Sequence, residues 1–184
     1  MMGLDLYTYE DNSILRTIVH WIVDIAVVVS FAWFIVFGYL NQTIVNGHSM
    51  SPTLEADDIC LVDRISYSVG SPRRYDIVLF ERSDTGQPNV KRVIGLPGET
   101  VQIISGVIYI DGEPLDDEHI KHISLSGIAE NPVLLEEDEY FLLGDNADSS
   151  EDSRFPNIGN VDRKDIIGKI WFRLVPMEEL GFIK

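Results

Sequence analysis

Residues 100–112 read TVQIISGVIYIDG, two short runs of β-branched and aromatic residues punctuated by Ser105-Gly106 and then Asp111-Gly112. Runs of this kind suit a pleated, half-buried surface, and the two dipeptides are the residues that close tight hairpins. The stretch therefore predicts a hairpin meander with strands at Thr100 to Ile104 and Val107 to Ile110. Working outward, Ile59 to Val62, Asp76 to Phe80, Val90 to Ile94, Tyr140 to Leu143 and Ile166 to Phe172 carry the same signature. Ser83 to Asn89 (SDTGQPN) is polar and reads as a hairpin tip. Short helical turns are expected only after Pro52 and near Arg163 to Asp165. The fold class expected of residues 41–184 is all-β.

Upstream the character changes. Trp21 to Leu40, WIVDIAVVVSFAWFIVFGYL, holds one formal charge, Asp24, over the roughly 20 apolar residues that a membrane-spanning helix needs. The uncharged part, Ile25 to Leu40, would cover about 24 Å. Asp24 is therefore expected near one membrane face, beside Trp21. Arg16, His20 and Asp24 are four residues apart and share one helical face. Residues 1–13 lack the basic segment of a secretory signal peptide. The expected organisation is a cytoplasmic segment at 1–17, a transmembrane helix at 18–40 and an extracytoplasmic β-rich domain at 41–184. Orientation rests on Arg16 and the positive-inside rule.

With 30 acidic and 14 basic residues the net charge is -16, which disfavours any grip on nucleic acid phosphates. Between Asp111 and Asp152 there are 14 carboxylates and one basic residue, Lys121. Glu136 to Glu139, and also Asp57 and Asp58, read as solvated acidic surface. The single cysteine, Cys60, excludes an intramolecular disulfide and any multi-cysteine metal site. Its apolar neighbours Ile59, Leu61 and Val62 predict a buried thiol.

The chemistry centres on Asn46-Gly47-His48-Ser49-Met50-Ser51-Pro52-Thr53-Leu54, which follows the apolar run. A serine hydroxyl is a weak nucleophile until a neighbour takes its proton. His20 lies in the span, His119 and His122 lie in the acidic region, and His48 is adjacent to Ser49 and so points elsewhere on an extended segment. A lysine is the remaining base. At its ordinary pKa only about one lysine in 2,500 is neutral at pH 7, but burial raises that fraction by disfavouring the ammonium. Lys91 suits this best, inside Val90-Lys91-Arg92-Val93-Ile94, with Arg92 on the opposite face. Lys121, Lys164, Lys169 and Lys184 have more solvated or terminal contexts.

GHSMSPTL at 47–54, RYDIVLF at 74–80, KRVIGLPGE at 91–99 and GDNADSSEDSR at 144–154 resemble, in order, the motif boxes of type I signal peptidases. These are membrane-anchored Ser/Lys proteases that remove signal peptides. The short stretch between Glu99 and Gly144 is similar to the compact form of the family. The resemblance implies a signal-peptidase-like β domain with one N-terminal transmembrane helix. It also implies Ser49 as nucleophile, Lys91 as general base, and Ser150 as a serine that orients the lysine. Arg92 with Asp145, and Asp152 with Arg154, match two charged pairs supporting the site. Met50 and Pro52 match the residues that shape the backbone and apolar floor beside the nucleophile. No metal or organic cofactor is implied. The implied partners are preproteins bearing signal peptides, cut after Ala-x-Ala junctions, together with membrane lipid. Self-cleaving Ser/Lys regulators and an inactive binding domain of the same fold are the alternatives.

Three departures from the boxes stand out. Ala147 occupies a position where arginine is common, and Phe155 to Gly159 replaces a shorter aromatic-glycine turn. Gly47 stands where some members have a serine whose hydroxyl serves the oxyanion hole. Here the Ser49 backbone N–H, with the Gly47 backbone, is expected to serve instead.

Overall fold

The computed structural model describes residues 13–83, 85–120 and 122–183. The chain divides between Gly38 and Tyr39 into two units.

The first unit is helical. Helix α1 spans Ser13–Tyr39. Within it Ile14–Ile35, 22 residues of mean hydropathy 2.2, are long and apolar enough to cross a membrane, and none of this window is buried. The helix includes residues 13–17, which the sequence assigned to the preceding segment. Ile14, Leu15, Ile18 and Val19 are apolar and exposed, and the apolar window includes Arg16, His20 and Asp24. What the sequence leads one to expect of residues 1–12 lies outside the described residues.

The second unit holds two antiparallel sheets. The larger has the order β1–β2–β11–β3–β4–β9–β10, with β12 added on β11. Its strands are β1 (Leu40–Ile44), β2 (Ile59–Asp63), β3 (Ile77–Glu81), β4 (Pro88–Gly95), β9 (Glu139–Leu143), β10 (Val161–Asp162), β11 (Ile166–Val175) and β12 (Gly181–Phe182). The smaller sheet, β7–β6–β5–β8, is built from β5 (Thr100–Ile104), β6 (Val107–Ile110), β7 (Glu113–Pro114) and β8 (Val133–Leu134). It occupies the stretch between Glu99 and Gly144.

The turn dipeptides behave as their chemistry requires. Ser105 and Gly106 have φ of 51° and 80°, and Asp111 and Gly112 have 52° and 86°. Two consecutive positive φ values make the tight turn whose twist matches antiparallel strands. Ile104 accordingly faces Val107, and Ile110 faces Glu113.

Alternation along β3 and β4 separates two cores. Ile77, Leu79 and Val90 pack with Met50, Leu54, Cys60 and Val62, whereas Val78, Phe80 and Val93 pack with Tyr67, Tyr140 and Leu142. A third core, including Val101, Ile103, Phe141 and Ala147, lies under the small sheet. Strand β4 is covered on both faces, for every residue from Val90 to Gly95 is buried. A charged side chain carried by this strand is removed from water by the fold itself.

Two expectations need correction. Asp58 is not solvated surface but 3% exposed. Its carboxylate lies 3.1 Å from Nε of Arg173 and accepts the Glu55 N–H, partners 115 and 3 residues away that supply what water would. Asp57 is exposed as expected. The β domain also contains a short helix, α2 (Ser66–Val69), started where Asp63 accepts the N–H groups of Ile65 and Ser66. The turn at Arg163–Asp165 forms as expected. After Pro52 there is a single turn, closed by the Leu54 N–H on the Met50 carbonyl at 3.0 Å.

Candidate active site

The segment around Ser49 is held by what it buries. Met50 and Leu54 are fully enclosed in the core beneath the turn. Gly47 has a φ of +77°, a left-handed backbone that glycine adopts without strain. Gly47, His48 and Pro52 are exposed, and Ser49 is half-buried. Met50 is thus part of the core beneath the turn, and Pro52 lies on its exposed side.

Lys91 reaches Ser49 from β4. Its Nζ donates to Ser49 Oγ at 2.9 Å and to the Val90 carbonyl at 3.1 Å. The residue is 2% exposed. Burial pushes its pKa down from 10.5 to about 8, the nearby Asp152 carboxylate opposing and the Arg82 guanidinium assisting. At pH 7 about one such amine in ten is neutral. Of the other lysines, Lys164 pairs with Asp162 on the surface and Lys169 pairs with Asp76; Lys121 and Lys184 lie outside the described residues.

Lys91 and Arg92 leave opposite faces of β4, in register with Val78 and Ile77 respectively. Arg92 forks onto Asp145, with Nε to Oδ1 at 2.7 Å and Nη2 to Oδ2 at 2.6 Å, and both side chains are buried. Asp145 Oδ2 also accepts the Thr53 hydroxyl at 2.5 Å. The carboxylate therefore ties β4 to the turn that carries Ser49.

The second pair closes the loop after β9. Arg154 Nε donates to Asp152 Oδ1 at 2.8 Å and Nη2 to Oδ2 at 2.9 Å. Asp152 also accepts the Gly144 N–H at 3.1 Å, and Arg154 donates to the Leu125 carbonyl at 2.9 Å. Buried charges of this kind persist because each is paired and hydrogen-bonded. Ser150 is buried, and its hydroxyl has no hydrogen-bond partner among the described residues, Lys91 included. It packs against Gly144, where an added Cβ would stand 2.3 Å from Ser150 Oγ and 2.5 Å from the Ser49 carbonyl oxygen.

The departures have structural places. Ala147 is an apolar core residue under the small sheet, and its carbonyl accepts from Arg154. Phe155 lies beneath the Arg154 guanidinium, 5.7 Å from its ring centroid, and the following turn closes with the Gly159 N–H on the Phe155 carbonyl.

Three contributors were not singled out from sequence. Thr53 and Asn146 fall inside quoted boxes, which was the available signal; Arg173 falls outside them. Asn146 bonds the backbone at Ser49. Arg173 donates to the Thr53 carbonyl and pairs with Asp58 and Glu179. Among the described residues no group of three or more His, Cys, Asp and Glu could hold a metal ion.

A serine hydroxyl against a buried amine, on a β scaffold tied by two buried ion pairs, has the make-up of a serine peptidase site. Residues 18–175 match the family described as "Signal peptidase, peptidase S26". The chain is 40% identical over 141 residues to signal peptidase I of Leptolyngbya laminosa, covering 72% of this chain and 68% of that protein. It is 34% identical over 174 residues to signal peptidase I of Bacillus caldolyticus, covering 88% and 92% respectively. Signal peptidase I of Bacillus licheniformis matches at 33% over 181 residues, 94% of this chain and 95% of that protein. The chain belongs to the signal peptidase family, peptidase S26, and is a serine protease. Its family acts on preproteins that carry signal peptides.

Proposed function

We propose that the chain cleaves signal peptides from exported preproteins with Ser49 as nucleophile and Lys91 as general base. The observation that carries this reading is the 2.9 Å contact between Lys91 Nζ and Ser49 Oγ at a buried site. Neutral Lys91 accepts the Ser49 proton as Oγ attacks the scissile carbonyl, and the resulting ammonium protonates the leaving amine. Lys91 then takes a proton from water as that water attacks the acyl-Ser49 ester, and returns it to Ser49 Oγ as the acyl C–O bond breaks, which frees the serine and the new carboxyl terminus. The Ser49 backbone N–H receives the oxyanion, since Gly47 has no side chain to offer.

Arg92 with Asp145 and Asp152 with Arg154 support the site by fixing the turn and the loop that flank it. Ser150 serves as the hydroxyl that orients Lys91, a role supported by its buried Oγ, which has no hydrogen-bond partner among the described residues. The substrate is an extended junction with small residues, Ala-x-Ala, before the cut. Helix α1 crosses the cell membrane once, with its N-terminal end cytoplasmic by the Arg16 charge and the β domain extracytoplasmic, in contact with lipid.

An inactive binding domain would have no use for a buried lysine against a serine, and a self-cleaving regulator would not need a window such as Ile14–Ile35. In detergent, the parent chain is expected to cut a preprotein at an Ala-x-Ala junction, and Ser49→Ala and Lys91→Ala to leave it whole. Undiminished cleavage by either variant sinks the assignment.

A further inference from the structure

Asn146 grips the backbone on both sides of Ser49. Its own N–H donates to the Ser49 carbonyl at 3.0 Å, and its side-chain Nδ2 donates to the His48 carbonyl at 3.1 Å. Those carbonyls belong to the two peptide groups flanking the Ser49 Cα. One residue therefore engages both peptide groups that flank the Ser49 Cα.

The His48–Ser49 peptide is not among the cis bonds, which are Ser51–Pro52 and Val175–Pro176. In a planar trans peptide the C=O and N–H point in opposite directions. Anchoring the His48 oxygen consequently aims the Ser49 N–H away from Asn146. That N–H is the group to which the mechanism above assigns the oxyanion.

The His48 carbonyl also accepts the Ser51 N–H at 3.3 Å, from within the turn itself, so Asn146 is its anchor to the rest of the domain. Gly47 and His48 are exposed, and no atom lies within 4 Å of where a Gly47 Cβ would stand. Asn146 itself is held by its neighbour, because Asp145 is forked by Arg92. Arg92 in turn adjoins Lys91, so β4 both delivers the base and braces the frame that aims the nucleophile.

We propose that Asn146 is a positioning residue for the transition state: its side-chain amide, through the His48 carbonyl, holds the Ser49 N–H where the oxyanion forms. This role rests on the reading of Ser49 and Lys91 given above. It acts on the tetrahedral species and not on the bound ground state, which sets its signature apart from a structural one.

Asn146→Asp keeps the size of the side chain and replaces the donor with an acceptor facing the His48 oxygen; Asn146→Ala removes the group. Both retain the backbone bond to Ser49. With the full chain in detergent and an Ala-x-Ala preprotein, kcat is expected to fall about tenfold to a hundredfold. Removal of an entire oxyanion donor elsewhere lowers kcat by about a hundredfold to a thousandfold. KM should stay within about twofold of the parent value, and the apparent pKa in kcat/KM should not move. Affinity for a peptide aldehyde of the junction sequence should weaken in proportion to kcat/KM, since Ser49 Oγ adds to its carbonyl carbon to give a tetrahedral hemiacetal. Preprotein binding should be equal for Ser49→Ala and Ser49→Ala with Asn146→Asp.

Parental kcat in both Asn146 variants overturns the role. So does a loss that resides in KM, or one matched by weaker preprotein binding in the Ser49→Ala background. Cleavage by Ser49→Ala or Lys91→Ala overturns the dyad and this role with it. Inactive Ser49→Ala and Lys91→Ala beside an unimpaired Asn146→Asp overturns the role of Asn146 alone.

Discussion

Lys91 Nζ and Ser49 Oγ stand 2.9 Å apart although 42 residues separate them in the chain. The distance is set from two directions. Strand β4 is covered on both faces and carries Lys91 out of water, and Met50 and Leu54 sink the turn beyond Ser49 into the core. The Arg92–Asp145–Thr53 connection then ties strand to turn.

Burial of Lys91 has a thermodynamic consequence. Its folded pKa of about 8 lies below the ordinary 10.5, so between those values the unfolded chain binds more protons and parental stability rises with pH. Below pH 8 the full penalty applies, about 3 kcal/mol at 1.36 kcal/mol per unit. Lys91→Met is expected to be more stable than the parent at pH 7, with the gain fading as pH approaches 10.5. Urea unfolding of the two proteins at pH 7 and pH 10 measures it, and a less stable Lys91→Met at pH 7 would refute the prediction.

Asp145→Asn leaves the Arg92 guanidinium buried without its counter-charge. Breaking a buried pair from one side typically destabilises by about 3–5 kcal/mol. Denaturant unfolding should register a loss of that order, together with reduced cleavage, because Asp145 also receives the Thr53 hydroxyl from the turn that carries Ser49. A loss below about 1 kcal/mol would show that the pair contributes little.

Gly144→Ala drives a methyl group toward Ser150 Oγ and the Ser49 carbonyl oxygen, at 2.3 and 2.5 Å. The backbone of Ser49 or the loop must shift. Overpacking of this kind destabilises by about 1–3 kcal/mol, and kcat/KM is expected to fall tenfold or more. Gly181→Ala, with nothing within 4 Å of the new methyl, serves as the matched control and should keep parental activity. Equal activity in the two variants would show that the contact between Gly144 and the Ser49 segment does not constrain catalysis.

Local chemistry was legible in the sequence where it acts over a few residues. Ser105-Gly106 and Asp111-Gly112 announced their turns, and the run Val90 to Ile94 announced a strand with Lys91 and Arg92 on opposite faces. The pairings of Arg92 with Asp145 and Arg154 with Asp152 followed from the motif boxes and appear as buried forks. What escaped depends on partners far along the chain. Asp58 looks like surface until Arg173 arrives beside it. The backbone role of Asn146 exists only once β9 brings its loop against His48 and Ser49. Arg16, His20 and Asp24, which share one helical face by their spacing, all lie within α1.

The central claim is that a neutral, buried Lys91 takes the Ser49 proton, and the pH dependence of kcat/KM for preprotein cleavage tests it most directly. The rate should climb about tenfold per pH unit below the Lys91 pKa of about 8 and level off above it, and Lys91→Ala should show no such rise. A profile flat from pH 6 to 10, or the same rise retained in Lys91→Ala, would contradict the account.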